Sequence, residues 1–309
     1  MSPRPLIIDC DPGVDDAVAL LLAFASPDVF DIVGVTTVAG NVSSTLTARN
    51  ACIIRDIAER ADVPVFAGAA GPLMAETVEA GHFHGESGLG DLAIAEPSCD
   101  VSAAHAVHFL AETLVAAAPN SISLAVTGPL TNLALALRLA PEVGRALREV
   151  VIMGGARTEG GNITASAEFN IYADPHAARI VFASGLPIVA IGLDATHQVR
   201  TTDARMRELG ALSSARARAA HQLLRFGEHV ERTLAGREGA PLHDPCPIAY
   251  LMRPDLFTTV PACIAVETES TLTRGHTAVE FRLQAPTNTR WAAQVDADGV
   301  FDELIARLA

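Results

Sequence analysis

Four aspartates, Asp9, Asp11, Asp15 and Asp16, crowd into eight residues of the stretch "LIIDCDPGVDDAVALLLAFAS" near the start of the chain. Carboxylates this close repel one another and resist ionisation unless something positive sits among them. A divalent cation is the economical partner. Every candidate donor is an oxygen, so Ca²⁺ or Mg²⁺ suits the cluster better than zinc. The stretch is not an EF-hand. Counted from Asp9, the place that needs glycine holds Val14 and the place that needs glutamate holds Leu20. A plainer reading covers part of the pattern: Asp15 or Asp16 could cap a helix, where free N–H groups and the dipole favour a carboxylate. It covers neither Asp11 nor the Pro12-Gly13 turn that bends the chain back.

Three later segments could join this cluster. "LHDPCP" carries His243 and Asp244. Alone, it reads as a turn with a helix cap; beside the aspartates it adds a carboxylate and an imidazole that titrates near neutral pH. "GGNITASAEFNIYADP" places Asn162, Glu168 and Asn170 in one stretch. By composition this is an ordinary polar loop. In extended chain, however, Glu168 and Asn170 face the same side, which suits the vicinal diol of a sugar. "AGHFHGESGLGD" holds His82 and His84 among glycines. It reads as a flexible lid rather than an H-x-H metal site.

The elements that must position these residues alternate. "PLIID", "FDIVGVTTVAG", "PVFAG", "SISLAVTG", "LREVVIMGG" and "PIVAIGLD" read as strands, with helical patterns between them. Strands this rich in Val, Ile and Leu predict a mostly parallel sheet covered on both faces. Ligands in such sheets bind outside the carboxyl ends of the strands. Asp9 and Asp11 follow the first strand, Asn41 the second and Thr127 the stretch "SLAV"; Met153 and Asn162 follow "EVVI", and Asp194 follows "IVAIG". After residue 200 the pattern turns helical. It closes with short strands, "CIAVET", "HTAVEFRL" and "RWAAQV", and a last helix, "GVFDELIARL". There is no repeat and no linker, so the expectation is a single α/β domain over residues 1–309 with its site at the strand ends.

Composition narrows the function. Of 309 residues, 50% are hydrophobic and 19% charged, which suits a large core and excludes a disordered chain. The net charge of -14, with no arginine cluster, argues against nucleic acid and against an anionic membrane surface. Lysine is absent, which removes Schiff-base chemistry and the P-loop lysine. G-x-G-x-x-G and G-x-S-x-G are absent too, so dinucleotide binding and serine hydrolysis lose their usual signals. The five scattered cysteines read as buried free thiols in a reducing compartment. The apolar run Ala17–Ala25 is too short to span a membrane, and a soluble cytoplasmic protein is expected.

Eight blocks, "DCDPGVDDAVALLLA", "TTVAGN", "GHFHGESGLG", "VTGPLTNLA", "IMGGA", "AEFNIYADPHAA", "HDPC" and "TRGHTAVEFR", together resemble the inosine–uridine preferring nucleoside hydrolase family over nearly the whole chain. The resemblance implies a Rossmann-like α/β fold, a tightly held Ca²⁺ and hydrolysis of the N-glycosidic bond of purine or pyrimidine ribonucleosides by water. It implies that Asp11, Asp16, the carbonyl of Thr127 and Asp244 hold the calcium, with Asp11 also taking the proton from the attacking water. Asp15, Asn41, Asn162, Glu168 and Asn170 would bind the ribose, with Met153 nearby. His243 would donate a proton at the nucleobase, under a lid carrying His82. Two mobile lids are expected, near residues 76–92 and 223–243. The second carries Phe226, His229 and Arg232 in place of the tyrosines common in the family, with His229 and Arg232 expected to face the base. A homodimer or homotetramer is the expected assembly, acting in nucleoside salvage. Two other readings compete: a Mg²⁺ phosphohydrolase with Asp9 as nucleophile, and a calcium-dependent nucleoside-binding protein without turnover. The first lacks the lysine that such enzymes set against the phosphate.

Overall fold

The computed structural model of the chain describes residues 2–282 and 286–309. Nine strands form one sheet: β1 (Arg4–Cys10), β2 (Phe30–Thr37), β3 (Val65–Ala67), β4 (Ile122–Val126), β5 (Leu147–Met153), β6 (Ile188–Ile191), β7 (Phe257–Val266), β8 (Thr277–Glu280) and β9 (Thr289–Val295). Their order is β3-β2-β1-β4-β5-β6-β9-β7-β8. The pairs from β3 to β9 are parallel, and β7 runs antiparallel to both its neighbours. The expectation of a mostly parallel sheet is met. β8 is shorter than the apolar pattern "HTAVEFRL", whose last residue, Leu283, lies outside the described residues.

The strand order turns back between β2-β1 and β4. This is the switch point of a doubly wound sheet, where the loops leaving two neighbouring strands diverge and open a crevice. β1 can occupy the middle because it is apolar without alternation: Leu6, Ile7 and Ile8 are all fully buried.

Helices cover both faces. They are α1 (Val14–Phe24), α2 (Ser44–Ile57), α3 (Gly81–His84), α4 (Ala106–Ala116), α5 (Thr131–Leu139), α6 (Phe169–Ala173), α7 (Pro175–Phe182), α8 (Leu193–Thr196), α9 (Asp203–Gly210), α10 (Ala215–Ala235), α11 (Pro245–Met252) and α12 (Ala297–Leu308). One hydrophobic cluster joins α1, α2 and α10–α12 on one face, and a second joins α4, α5 and α7 on the other. Every residue of α1 except Asp15 is buried. A helix apolar all round must be covered all round, and α2, α10 and α11 pack against it. The aspartates at its start are therefore carried on an immobile element.

Three short helices were not legible in the sequence: α3 lies within "AGHFHGESGLGD", which read as a flexible lid. α6 forms within "AEFNIYADP" and α8 directly after β6. Of the cysteines, Cys10, Cys52 and Cys246 are buried and free as expected, whereas Cys99 is exposed and Cys263 half-buried. Among the described residues, no helix is long and apolar enough to cross a membrane.

Candidate active site

The crevice at the switch point is lined at its deep end by residues from four strand ends. Asp15 comes from the start of α1, Asn41 from the loop after β2, Thr127 from the end of β4 and Met153 from the end of β5. Glu168, Asn170 and Asp244 complete that end. His82, Asn162 and His243 line the outer part. The sequence reading thus brought distant segments to one place, over a span of more than two hundred residues.

Asp16 is the hub of the deep end. Its Oδ2 accepts from the backbone of Gly13 at 3.1 Å and from Asn41 Nδ2 at 2.9 Å; its Oδ1 accepts from Thr127 Oγ1 at 2.8 Å and from the backbone of Asp11 at 3.3 Å. Both readings of this aspartate hold, because it closes the first turn of α1 and also faces the cluster. Asp15, Asp16 and Asp244 each place an oxygen within 4.8 Å of the others. Asp15, expected at the sugar, is thus a corner of the carboxylate group itself. Asp11 lies beside it, completely buried, with Oδ2 accepting the backbone N–H of Asn41 at 2.7 Å. Its Oδ1 has no hydrogen-bond partner.

Burial raises the pKa of Asp11, Asp15, Asp16 and Asp244 alike. Mutual repulsion adds to this for Asp11, Asp16 and Asp244. No arginine is among the groups acting on them. Four carboxylates without a counter-charge, one carrying an orphaned buried oxygen, form a donor set of hard oxygens. That set fits a divalent cation of the calcium or magnesium type.

Thr127 and Asn170 meet directly: Asn170 Nδ2 donates to the Thr127 carbonyl at 2.6 Å and to the Met153 carbonyl at 3.2 Å. Glu168 and Asn170 are not on one face of an extended chain, as their spacing suggested. Glu168 is the N-cap of α6, and its carboxylate accepts from the backbone of Asn170 at 2.9 Å, Ile171 at 3.2 Å and Gly155 at 3.0 Å. The cap fixes the two side chains beside each other. Asn162 is exposed, and its Oδ1 accepts from the backbone of Phe169 at 2.8 Å, so it also braces this turn.

His243 is half-buried, with Nδ1 2.8 Å from Thr196 Oγ1. Burial, then the neighbouring His197, His84 and Arg200, push its pKa down to about 3. At neutral pH it is an uncharged imidazole. When the threonine hydroxyl donates to Nδ1, the ring proton lies on Nε2.

Several expectations change. Residues 223–235 are not a loop but the last turns of α10. Successive residues on a helix point in different directions, so His229 and Arg232 are exposed and do not line the crevice. Glu231, between them, does, together with Arg237 from the loop beyond. Asp194 faces away: its carboxylate holds the backbone N–H groups of Arg157 at 2.7 Å and Thr158 at 2.8 Å. Asp9 is completely buried behind the site, its Oδ1 accepting from Thr36 at 2.6 Å and Asn132 at 2.8 Å. It cannot serve as the nucleophile of a phosphohydrolase. The sequence reading missed Glu159 and His197, which line the crevice, and the buried Thr196, which holds His243 from behind it. Thr196 and His197 lie two and three residues beyond Asp194 at the sixth strand end, and that position was the signal for them.

Comparison with known proteins agrees with this geometry. The family described as inosine-uridine preferring nucleoside hydrolase matches residues 6–302. A pyrimidine-specific ribonucleoside hydrolase of Photobacterium profundum is 44% identical over 310 residues, covering 99% of both chains. The solved structure of a purine-preferring ribonucleoside hydrolase from Gardnerella vaginalis superposes with a TM-score of 0.92 at 33% identity, over 99% of this chain and 98% of that one. A plant nucleoside hydrolase gives a TM-score of 0.93 at 31% identity over 99% of both. The chain belongs to the inosine–uridine preferring nucleoside hydrolase family, and is an enzyme that hydrolyses N-glycosidic bonds.

Proposed function

We propose that the chain is a calcium-dependent ribonucleoside hydrolase that releases ribose and free base, with pyrimidine ribonucleosides as the first substrates to test. The observation that carries this is the uncompensated carboxylate group of Asp15, Asp16 and Asp244 beside the orphaned oxygen of Asp11. Support for the base comes from relatives 42–44% identical that are named pyrimidine-specific.

Asp11, Asp16, Asp244 and the Thr127 carbonyl would hold the calcium, with Asp15 in the same carboxylate group. The bound cation would supply a positioned water of modestly lowered pKa. Asp11 would take the proton of the attacking water as its oxygen bonds to C1′. Asp15, Asn41, Asn162, Glu168 and Asn170 bind the ribose hydroxyls, with Met153 against the ring. As the C1′–N bond breaks, positive charge grows on the ribosyl group, and the surrounding carboxylates stabilise it. His243 donates to the departing base, and His82 covers it from the lid. A cytoplasmic homodimer or homotetramer acting in purine and pyrimidine salvage completes the proposal.

The test is ribose release from cytidine, uridine, inosine and adenosine, with and without a chelator. Release that stops on chelation and returns with calcium is expected. Tight nucleoside binding in calorimetry without release would instead favour the non-catalytic binder.

A further inference from the structure

The outer end of the crevice carries a pair that the reaction as proposed does not use. His197 Nδ1 lies 2.9 Å from Glu159 Oε2, and both residues line the crevice. His197 directly follows Thr196, the residue that holds His243, and its ring centroid is 5.7 Å from that of His243. Through His197 the pair therefore sits beside the residue assigned to the departing base. His197 is largely enclosed, with 16% of its side chain exposed, against 44% for Glu159. The imidazole fixes one oxygen of the carboxylate. Among the described residues, no donor reaches the other oxygen, Oε1.

We propose that Glu159 is a specificity-determining residue that reads the nucleobase edge, and that His197 is its positioning residue. The inference rests on the nucleoside reading of the same site. An ionised carboxylate only accepts hydrogen bonds. Opposite an exocyclic amino group, Oε1 gains a charge-assisted hydrogen bond. Opposite a ring carbonyl, it sets lone pairs against lone pairs. The pair therefore favours nucleosides whose base carries an amino group: cytidine over uridine, and adenosine over inosine.

The test compares the native enzyme with Glu159→Gln and His197→Asn on cytidine, uridine, adenosine and inosine. The glutamine amide can turn its N–H₂ toward a carbonyl. The cytidine-to-uridine ratio of kcat/KM should therefore fall about tenfold in E159Q, mainly through KM, as should the adenosine-to-inosine ratio. In H197N both ratios should fall in the same direction. The double variant should shift them no further than E159Q, because the two residues act as one unit. Inhibition by free ribose should stay within about twofold of native in every variant, which a general disturbance of the site would not allow. Ratios unchanged within about twofold in E159Q, with native activity present, would overturn the assignment. No ribose from any of the four nucleosides with native enzyme would instead overturn the nucleoside reading itself.

Discussion

His84 Nδ1 accepts the backbone N–H of Val14 at 3.0 Å, across 70 residues of sequence. The Gly13 N-cap has no side chain to satisfy the free N–H groups of α1. A histidine from the lid segment supplies that acceptor instead. The ring lies so close over Gly13 that a Cβ there would stand 2.6 Å from Nδ1. An acceptor nitrogen requires an uncharged ring, and burial brings the His84 pKa down to about 4. The lid and the helix that carries Asp15 and Asp16 are thereby tied together. Asn50 adds a second tie, donating to the carbonyls of Pro12 at 3.0 Å and Ser87 at 2.8 Å.

Replacing His84 with alanine should cost about 1 kcal/mol, the usual value of a lost helix cap. For a chain of this size that lowers Tm by about 1–2 °C. Loosening the lid should also raise KM for nucleosides more than it lowers kcat. Thermal melts and steady-state kinetics on His84→Ala check both. Unchanged Tm and KM would mean that the contact holds neither helix nor lid.

A chelator should lower Tm, and calcium should restore it. A ligand at one hundred times its Kd adds about 2.7 kcal/mol. The sharper form uses Asp244→Asn. Without the ion, Asp244 is a buried carboxyl pushed well above its usual pKa by burial and by its three aspartate neighbours. Removing its charge should leave the ion-free protein as stable as the native chain or more so, while the calcium-dependent rise in Tm shrinks or disappears. A full calcium response in Asp244→Asn would remove this residue from the ion site.

The strands were legible because each of the six before residue 200 is an apolar run bounded by a turn, and burial on both faces permits no polar alternation. Asn41, Thr127 and Met153 were legible as crevice residues for the same reason, since each stands at the end of such a run or within a few residues of it. What was not legible depended on helix phase and on capping across distance. The segment around His229 and Arg232 does carry an apolar stripe, since Leu223, Leu224 and Val230 are buried at helical spacing and Glu231 follows Leu224 by two turns. Read as a loop rather than as the end of a helix, the segment hides that phase, and Glu231 was passed over. Glu168 and Asn170 were found, but for the wrong reason: a five-residue helix is too short to show a period, and its cap rather than an extended backbone sets them together. The contact of His84 with Val14 has no local signature at all.

Asp11→Asn should cost about 10²–10⁴ in kcat, the range for loss of a general base. The asparagine is nearly the same shape and keeps an oxygen for the backbone N–H of Asn41, which Asp11 now holds at 2.7 Å. Folding should survive, and in the presence of a chelator Tm should not fall, because one member of a repelling group becomes neutral. Steady-state kinetics with calcium, and a melt with chelator, check this. Near-normal turnover would assign the proton transfer to another residue.

Asp11 is held between two glycines, and they offer a test that touches no substrate. A Cβ on Gly40 would overlap Asp11 Oδ2, and one on Gly128 would stand 2.7 Å from Oδ1. Neither contact involves a flexible side-chain end that could swing away, since Asp11 is completely buried. Gly40→Ala and Gly128→Ala should each displace the carboxylate by a fraction of an ångström. Misplacement on the scale of 1 Å costs about 10²-fold in rate, so a loss of about ten- to a hundredfold in kcat is expected. Overpacking should add about 1–3 kcal/mol of destabilisation. Gly227→Ala is the control: its Cβ would meet nothing nearer than 3.7 Å, and alanine inside α10 should stabilise by about 0.5–1 kcal/mol. If Gly40→Ala and Gly128→Ala turn over as fast as Gly227→Ala, the exact seat of Asp11 does not matter to the chemistry, and its role as base is in error.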